Sequence, residues 1–426
     1  MINVQVIVLI VLLFCIAGCE EDNVLINERN VTGQIYDEQG FPVDRQIISV
    51  NSAPPYYVTN VTGKFSFDNV SMPFDINFSW NWLYKDITRS DVKLNYPYKS
   101  FSTYYSAEVN ISIPKIESSN EYGVIAFLTN DNILGGQIVV SGKTTNYVME
   151  FYLLQNTVVH GKMIYLTHQV NGNGNIIAYK NFGEKEFNVS VGNGNTLTFT
   201  NEDINLDPSE SEITVEVNSP DNIFSSSTTV SLNFPGYTNQ KIYLSGRYTY
   251  SSNYTFNTKV PLKLTIPYNC EVLNNTSIRI TDTTNIDDSE KLIYLDPGES
   301  GLIQYPPRPK LILPANNEQY VDKNYVFTFG SENDNCVYEI EFGSSGKGYN
   351  FFTIATVFTE SRTLRFGELM KNGFRFENNK EYLWRIKKMP GFKTMNDYVS
   401  STIPENVNYK YVIASEVKRF TTGIVN

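Results

Sequence analysis

Two neighbouring segments, Lys162-Met-Ile-Tyr-Leu-Thr167 and Asn171-Gly-Asn-Gly-Asn175, carry the plainest structural signal in this sequence. The first segment contains the apolar, aromatic and β-branched residues that pack well on a pleated sheet. The second places glycine and asparagine where a tight turn needs residues that accept a positive φ. Together they predict a strand that enters an antiparallel hairpin.

Similar strands are predicted along the whole chain of 426 residues. Runs such as Ile138–Val140, Val148–Leu154 and Leu262–Ile266 are separated by clusters of Asn, Gly, Asp and Ser about every 8–12 residues, a spacing typical of β-sandwiches. Only Leu364–Phe374 could form a short helical turn. The sequence therefore predicts an all-β fold of tandem immunoglobulin-like sandwiches.

Pro-rich or polar joints divide the chain into predicted units. These are a signal peptide over 1–18, a tether over 19–27, and β-sandwiches over 28–113, 114–217, 218–304 and 305–426. The clearest joint is Tyr305-Pro-Pro-Arg-Pro309. We expect it to be a stiff polyproline spacer of about 3.1 Å per residue.

The first residues form an apolar run, Val4–Ile16, that is too short for a membrane-spanning helix of roughly 20 residues. It ends in Ile16-Ala-Gly-Cys19, and this arrangement resembles the signal peptide of a bacterial lipoprotein. The resemblance implies cleavage before Cys19, acylation of that cysteine by palmitate and anchoring in the outer membrane. An ordinary cleaved signal and a buried N-terminal strand are the alternatives.

The acidic run Glu20-Glu-Asp22 resembles the surface-export signal of lipoproteins from the Bacteroidota. That resemblance implies display on the outer face of the cell. A flexible, solvated tether on the periplasmic side is the alternative.

The first predicted sandwich resembles a carboxypeptidase regulatory-like domain. The resemblance is carried by Val31-Thr-Gly-Gln-Ile-Tyr-Asp37, Gly40-Phe-Pro-Val43 and Thr59–Phe67. Modules of this kind are non-catalytic, so it implies a structural or spacer role.

The last predicted sandwich resembles a fibronectin type III-like domain. The resemblance is carried by Pro309–Pro314, Tyr338–Phe342, Tyr382–Ile386 and Lys418–Thr422. Trp384 is then expected to be the buried core tryptophan.

Charge and cysteine content exclude several classes of partner. The formal net charge of −11 argues against nucleic acid and against adhesion to an anionic membrane by charge alone. Once Cys15 leaves with the signal and Cys19 is acylated, Cys270 and Cys336 remain. We expect these two to be separate buried thiols.

No motif in the sequence predicts catalysis, a metal or a cofactor. Gly142-Lys-Thr144 lacks the first glycine of a phosphate loop, which would stand at Gln137, and we expect a hairpin turn there. His160 and His168 would lie about 26 Å apart on one strand, too far to share a metal. We expect three acidic turns to be solvated, with calcium binding through their oxygen atoms as the alternative; they are Asn130–Asn132, Asp287-Asp288 and Glu332–Asp334.

One aromatic alternation stands out, at Phe78, Trp80, Trp82 and Tyr84. On a single strand these four side chains project from one face, because successive residues point to opposite sides. Exposed rings beside amides form a platform on which sugars stack, and the set is therefore a candidate ligand platform. The alternative is that this face is the hydrophobic core of the first sandwich.

These features predict a non-catalytic, lipid-anchored protein of the cell envelope that is exposed at the cell surface and binds a glycan or another envelope protein. The layout resembles that of glycan-capturing surface lipoproteins. One alternative is a structural spacer or assembly subunit of an envelope complex. A hydrolase whose site is assembled from distant loops is the less favoured alternative.

Overall fold

The computed structural model describes most of the chain after the predicted tether. The described residues are 28–37, 40, 42–79, 81–96, 105–131, 133–142, 144–153, 158–219, 223–237, 241–279, 285–331, 335–345, 351–402 and 410–425. They form 31 strands and two short helices, so the fold is all-β, as predicted. The predicted signal peptide and tether, with Cys19, lie outside the described residues.

The first sandwich packs a three-stranded sheet of order β4-β1-β7 against strands β6-β5-β2-β3. Its strands are β1 (Glu28–Asp37), β2 (Ile47–Val50), β3 (Ala53–Val58), β4 (Lys64–Ser71), β5 (Phe74–Phe78), β6 (Trp82–Ile87) and β7 (Asp91–Tyr96). Phe65 and Phe67 alternate with exposed residues on β4 and point into the core. Gly33 allows this packing, because a Cβ there would lie 2.3 Å from the Phe65 ring.

The second sandwich packs sheet β10-β12-β8-β15 against sheet β11-β9-β13-β14. Its strands are β8 (Tyr105–Ser112), β9 (Glu121–Leu128), β10 (Ile133–Gly135), β11 (Gln137–Ser141), β12 (Asn146–Leu153), β13 (Val159–Val170), β14 (Ile176–Val189) and β15 (Gly192–Thr198). Strand β8 pairs with β12 and β15, although the predicted unit 28–113 had placed it in the first sandwich.

The hairpin predicted at Asn171–Asn175 joins β13 to β14. The Asn171 side-chain oxygen accepts hydrogen bonds from the backbone N–H groups of Asn173 (2.9 Å) and Asn175 (3.0 Å). Gly174 has a φ of 80°, which glycine adopts without strain. The prediction of a tight turn is therefore confirmed.

The third sandwich packs sheet β19-β16-β22 against strands β18-β17-β20-β21. Its strands are β16 (Glu210–Asn218), β17 (Ser225–Asn233), β18 (Lys241–Thr249), β19 (Asn253–Pro261), β20 (Asn269–Arg279), β21 (Asn285–Leu295) and β22 (Ser300–Gln304). Strand β16 belongs here, so the predicted boundary at 217/218 falls at the end of the first strand of this sandwich.

The fourth sandwich packs sheet β23-β25-β28 against a larger sheet around β26 and β29. Its elements are β23 (Lys310–Leu313), β24 (Glu318–Val321), β25 (Val326–Gly330), β26 (Val337–Ser345), β27 (Phe351–Thr359), β28 (Thr363–Arg365), α1 (Phe366–Lys371), β29 (Glu381–Met389), α2 (Met395–Tyr398), β30 (Tyr411–Ala414) and β31 (Lys418–Thr422). Trp384 is fully buried in its core. Helix α1 lies in the stretch predicted to be helical.

One sheet of 14 strands runs through the third, fourth and first sandwiches. Strand β30 pairs with β21 of the third sandwich and with β29 of the fourth. Strand β27 of the fourth sandwich pairs in parallel with β6 of the first. Sandwiches that are distant in sequence are thus joined by backbone hydrogen bonds.

The predicted spacer 305–309 packs against its neighbours. The Tyr305 hydroxyl donates to the backbone oxygen of Asn274 at 2.9 Å, and Arg308 donates to the backbone oxygen of Ala414 at 3.1 Å. The segment therefore docks the third sandwich to the fourth. Within the described part of the chain, no helix is both long and apolar enough to cross a membrane.

Candidate functional site

The predicted aromatic platform lies on a hairpin, where the sequence had suggested one continuous strand. Phe78 ends β5 and Trp82 begins β6, and the two residues are direct cross-strand partners. The chain reverses between them, with Ser79 at a φ of 52°. The prediction that all four residues alternate along one strand was therefore wrong, and Trp80 lies outside the described residues.

The three described rings of this set are buried. Phe78 and Tyr84 are 0 % exposed and Trp82 is 7 % exposed. Phe78 stacks on Trp82 with 5.0 Å between ring centroids, while Tyr84 stacks on Phe358 of the fourth sandwich at 4.7 Å. A sugar platform needs exposed ring faces, so these burials agree with the alternative of a hydrophobic core.

This aromatic core extends across the joint between the first and fourth sandwiches. Phe358 stacks in turn on Tyr398 of α2, with 5.0 Å between centroids. Trp82, Leu83 and Tyr84 of β6 pair with residues 356–358 of β27. Trp82 and Tyr84, two of the residues predicted to bind a ligand, thus contact the last sandwich of the same chain.

Polar contacts surround the aromatic joint. The Thr356 N–H donates to the backbone oxygen of Asn81 at 2.8 Å, and the Lys85 ammonium lies 2.5 Å from the Glu368 carboxylate. Asn396, in α2, accepts the backbone N–H groups of Thr88 and Arg89 at 3.0 and 3.1 Å. These bonds fix the relative position of the two sandwiches.

A polar cavity of about 250 Å³ opens beside Trp82 at the same joint. Both sandwiches line it, with residues that include Gln46, Ser79, Trp82, Tyr96, Thr353 and Thr356. Its lining offers amides and hydroxyls and lacks carboxylates among the described residues. The cavity therefore has the chemistry to hold a small neutral molecule and lacks an acid–base pair.

Two carboxylates with shifted pKa values belong to an ion-pair cluster on the fourth sandwich. Glu339 and Glu341 on β26 lie opposite Lys387 and Arg385 on β29. Burial raises the pKa of Glu339 to about 6, against the attraction of Lys387. Burial also acts on Glu341, but Arg385 and Lys387 outweigh it and lower the pKa of Glu341. Each carboxylate has a cationic partner, which favours a structural use of the pair.

Both histidines lie on one strand, β13, which is the arrangement assumed for their predicted separation of about 26 Å. The Nδ1 atom of His160 is 2.7 Å from the Asn188 side-chain oxygen, and burial lowers the pKa of His168. No grouping of three potential metal ligands occurs among the described residues.

The turn at Gly142 connects two different sheets. Strand β11 pairs with β9, whereas β12 pairs with β8 and β10, so the flanking strands belong to the two different sheets of the second sandwich. The prediction of a hairpin there was wrong, because the strands on either side never pair with each other.

Cys270 and Cys336 are two separate buried thiols that form no disulfide with each other, as expected. Burial raises the pKa of the Cys270 thiol to about 12, which removes it as a nucleophile at neutral pH.

A second aromatic group, which sequence reasoning missed, lies on the outer face of the third sandwich. Tyr243, Tyr248 and Tyr294 are 54 %, 59 % and 39 % exposed. The alternation of Lys241 and Tyr243 with the buried Ile242 and Leu244 was the available signal, because it places the tyrosine on the polar side of β18.

No family model matches the chain, and neither does any curated protein sequence. Among solved structures, the chain is similar to the TIE protein of Bacillus anthracis, with 12 % identity over 65 % of this chain and a TM-score of 0.14. The match spans half of that chain. A putative adhesin from Bacteroides ovatus has 11 % identity over 47 % of this chain and 89 % of its own, with a TM-score of 0.17.

A tetra-tandem repeat from the extending region of a large adhesion protein has 9 % identity over 93 % of this chain and 99 % of its own, with a TM-score of 0.16. Scores at this level lie far below those of chains that share an overall arrangement.

Proposed function

We propose that this chain is a non-catalytic, lipid-anchored protein of the bacterial cell envelope. It is displayed at the cell surface, and its joined sandwiches form a stiff scaffold that presents a binding surface to the exterior. The observation that carries the scaffold is the sheet of 14 strands that runs through three of the four sandwiches, and the resemblance of residues 1–22 to a lipoprotein signal supports the anchor.

The stiffness follows from the joints. Domains in one chain move relative to each other unless their interface is large and apolar. Here the joint between the first and fourth sandwiches combines backbone pairing with stacked, buried rings, and the residue 305–309 segment docks the third sandwich to the fourth. Hinge motion at these joints would expose apolar surface and break hydrogen bonds.

Two further features support a structural rather than catalytic use of the titratable groups. The Glu339–Glu341 pair is held by cations, and the Cys270 thiol is kept protonated by burial. The proposed kinship of the end sandwiches with carboxypeptidase regulatory-like and fibronectin type III-like modules fits the same role.

The anchor is tested by producing the full chain in a Bacteroidota host fed with labelled palmitate. We expect label on the parent chain and on Cys15→Ser, a matched control in the signal, and none on Cys19→Ser. Protease added to intact cells should then digest the labelled protein. Labelled Cys19→Ser protein, or a parent chain protected until the cells are broken, would contradict the proposal.

A further inference from the structure

The outer face of the third sandwich presents ordered rows of side chains across four strands. From β18 to β21, one row contains Tyr248, Ser227, Asn275 and Glu290, the next Gly246, Thr229, Leu273 and Leu292, and the third Tyr243, Ser231, Glu271 and Tyr294. A shorter fourth row contains Lys241, Asn233 and Asn269. We call these rows the tyrosine face.

The ring of Tyr243 extends along the strand over Gly246. Its hydroxyl oxygen lies 2.7 Å from the point where a Cβ on Gly246 would stand. The side chain is nevertheless 54 % exposed. A ring that extends along a sheet and remains this exposed turns a broad surface to solvent. Gly246 provides the space for it.

The charges on the tyrosine face are compensated. The Glu271 carboxylate is 2.5 Å from the Lys241 ammonium and 3.4 Å from the Tyr294 hydroxyl. Glu290 lies 3.1 Å from the ammonium of Lys410. In a chain with a net charge of −11 this surface is locally neutral. It therefore favours an uncharged ligand over an ionic one.

Hydroxyls and amides lie beside the rings, together with the half-buried Leu273 and Leu292. Ser227 and Ser231 make no side-chain hydrogen bond to other described residues, while Asn233 donates to the side-chain oxygen of Asn269 at 2.9 Å. Tyrosine is enriched in both kinds of site, but serine is depleted in protein–protein interfaces, whereas a polyhydroxylated ligand uses its hydroxyl directly. This composition favours a sugar over a protein partner.

We propose that the tyrosine face binds a neutral polysaccharide. The C–H faces of its pyranose rings stack on Tyr243, Tyr248 and Tyr294, and its hydroxyls hydrogen-bond to Ser227, Ser231 and the asparagines. The proposal rests on the proposed function only in that the scaffold displays this face. It is tested on purified protein, so its failure is distinct from failure of the anchor.

The test is retention of the full-length chain, held in a detergent without sugar groups, on native gels. The gels contain mixed-linkage β-glucan, galactomannan, starch or the anionic control polygalacturonate. We expect at least one neutral polysaccharide to retard the parent chain and polygalacturonate not to. Tyr243→Ala and Tyr294→Ala should each weaken retention about tenfold. Tyr243→Phe, which keeps the ring, should bind like the parent.

Circular dichroism of each variant confirms that the fold is intact. Absence of retention on every neutral gel would overturn the proposal, as would retention that both alanine variants preserve. Binding to whole cells that survives periodate oxidation of their glycans, yet is lost in Tyr243→Ala, would also overturn it and would indicate a protein partner.

Discussion

The β5–β6 hairpin and strand β18 each carry aromatic residues on one face of a sheet, and the fold places them in opposite environments. Phe78 and Tyr84 are buried in the core of the first sandwich, whereas Tyr243 extends over Gly246 and faces solvent. The difference arises from what covers each sheet. Sheet β4-β1-β7 of the first sandwich and the rings of Phe358 and Tyr398 of the fourth cover the first set, and no described element covers the second. A sequence pattern can thus show that aromatic residues share one face of a sheet, but tertiary packing decides whether that face is buried or exposed.

Truncation at the aromatic joint should have the largest effect on stability. Tyr84→Ala removes a fully buried ring that stacks on Phe358, and we expect a loss of about 3–5 kcal/mol in the free energy of unfolding. Urea denaturation of the full chain measures it. The matched control, Tyr243→Ala, should cost less than about 0.5 kcal/mol because that ring is exposed. Equal losses would remove the distinction between the two sites.

The ion-pair cluster around Glu339 predicts that the stability of the fold depends on pH. Glu339 has a raised pKa of about 6 in the folded chain against an ordinary value of 4.5, so its ionisation disfavours folding. Stability should therefore fall as the pH rises from 4.5 to about 6, and Glu339→Gln should lack this decline.

At pH 7 we expect Glu339→Gln to be more stable than the parent by about 2 kcal/mol. Denaturation at pH 4.5 and pH 7 measures the difference, with the exposed Glu212→Gln as control. If Glu339→Gln and the parent were equally stable at pH 4.5 and at pH 7, Glu339 would titrate normally.

The docked segment 305–309 should contribute less to stability than the aromatic joint does. Tyr305→Phe removes the hydroxyl that donates to Asn274, and we expect a loss of about 1 kcal/mol in the free energy of unfolding. The exposed Tyr320→Phe is the control. An unchanged midpoint in urea would indicate that 305–309 is a loose spacer after all.

The smallest effect should come from a methyl group on the tyrosine face. Gly246→Ala pushes against the Tyr243 hydroxyl and lifts the ring, so polysaccharide retention should weaken about threefold while the fold stays intact. Affinity electrophoresis measures it. Tighter retention would mean that the flat ring position is not the binding one.

The sequence predicted the strands, the 171–175 turn and the buried Trp384, because alternation and turn chemistry are local properties. It missed the strand pairings that join the sandwiches, since Trp82 and Thr356 meet only through tertiary packing. The same dependence on tertiary structure explains why the aromatic platform was predicted wrongly. The turn between Phe78 and Trp82 depends on a positive φ at Ser79, a residue type that seldom adopts one.

Amide hydrogen exchange on the full chain, with and without soluble fragments of the retaining polysaccharide, tests both sides of the comparison at once. We expect slow exchange in β6 and β27 that the sugar leaves unchanged, and new protection in β17, β18 and β20 when the sugar binds. New protection at Trp82 in the β5–β6 hairpin without any in β18, or rapid exchange at the β6–β27 pairing, would contradict the roles assigned to the two regions.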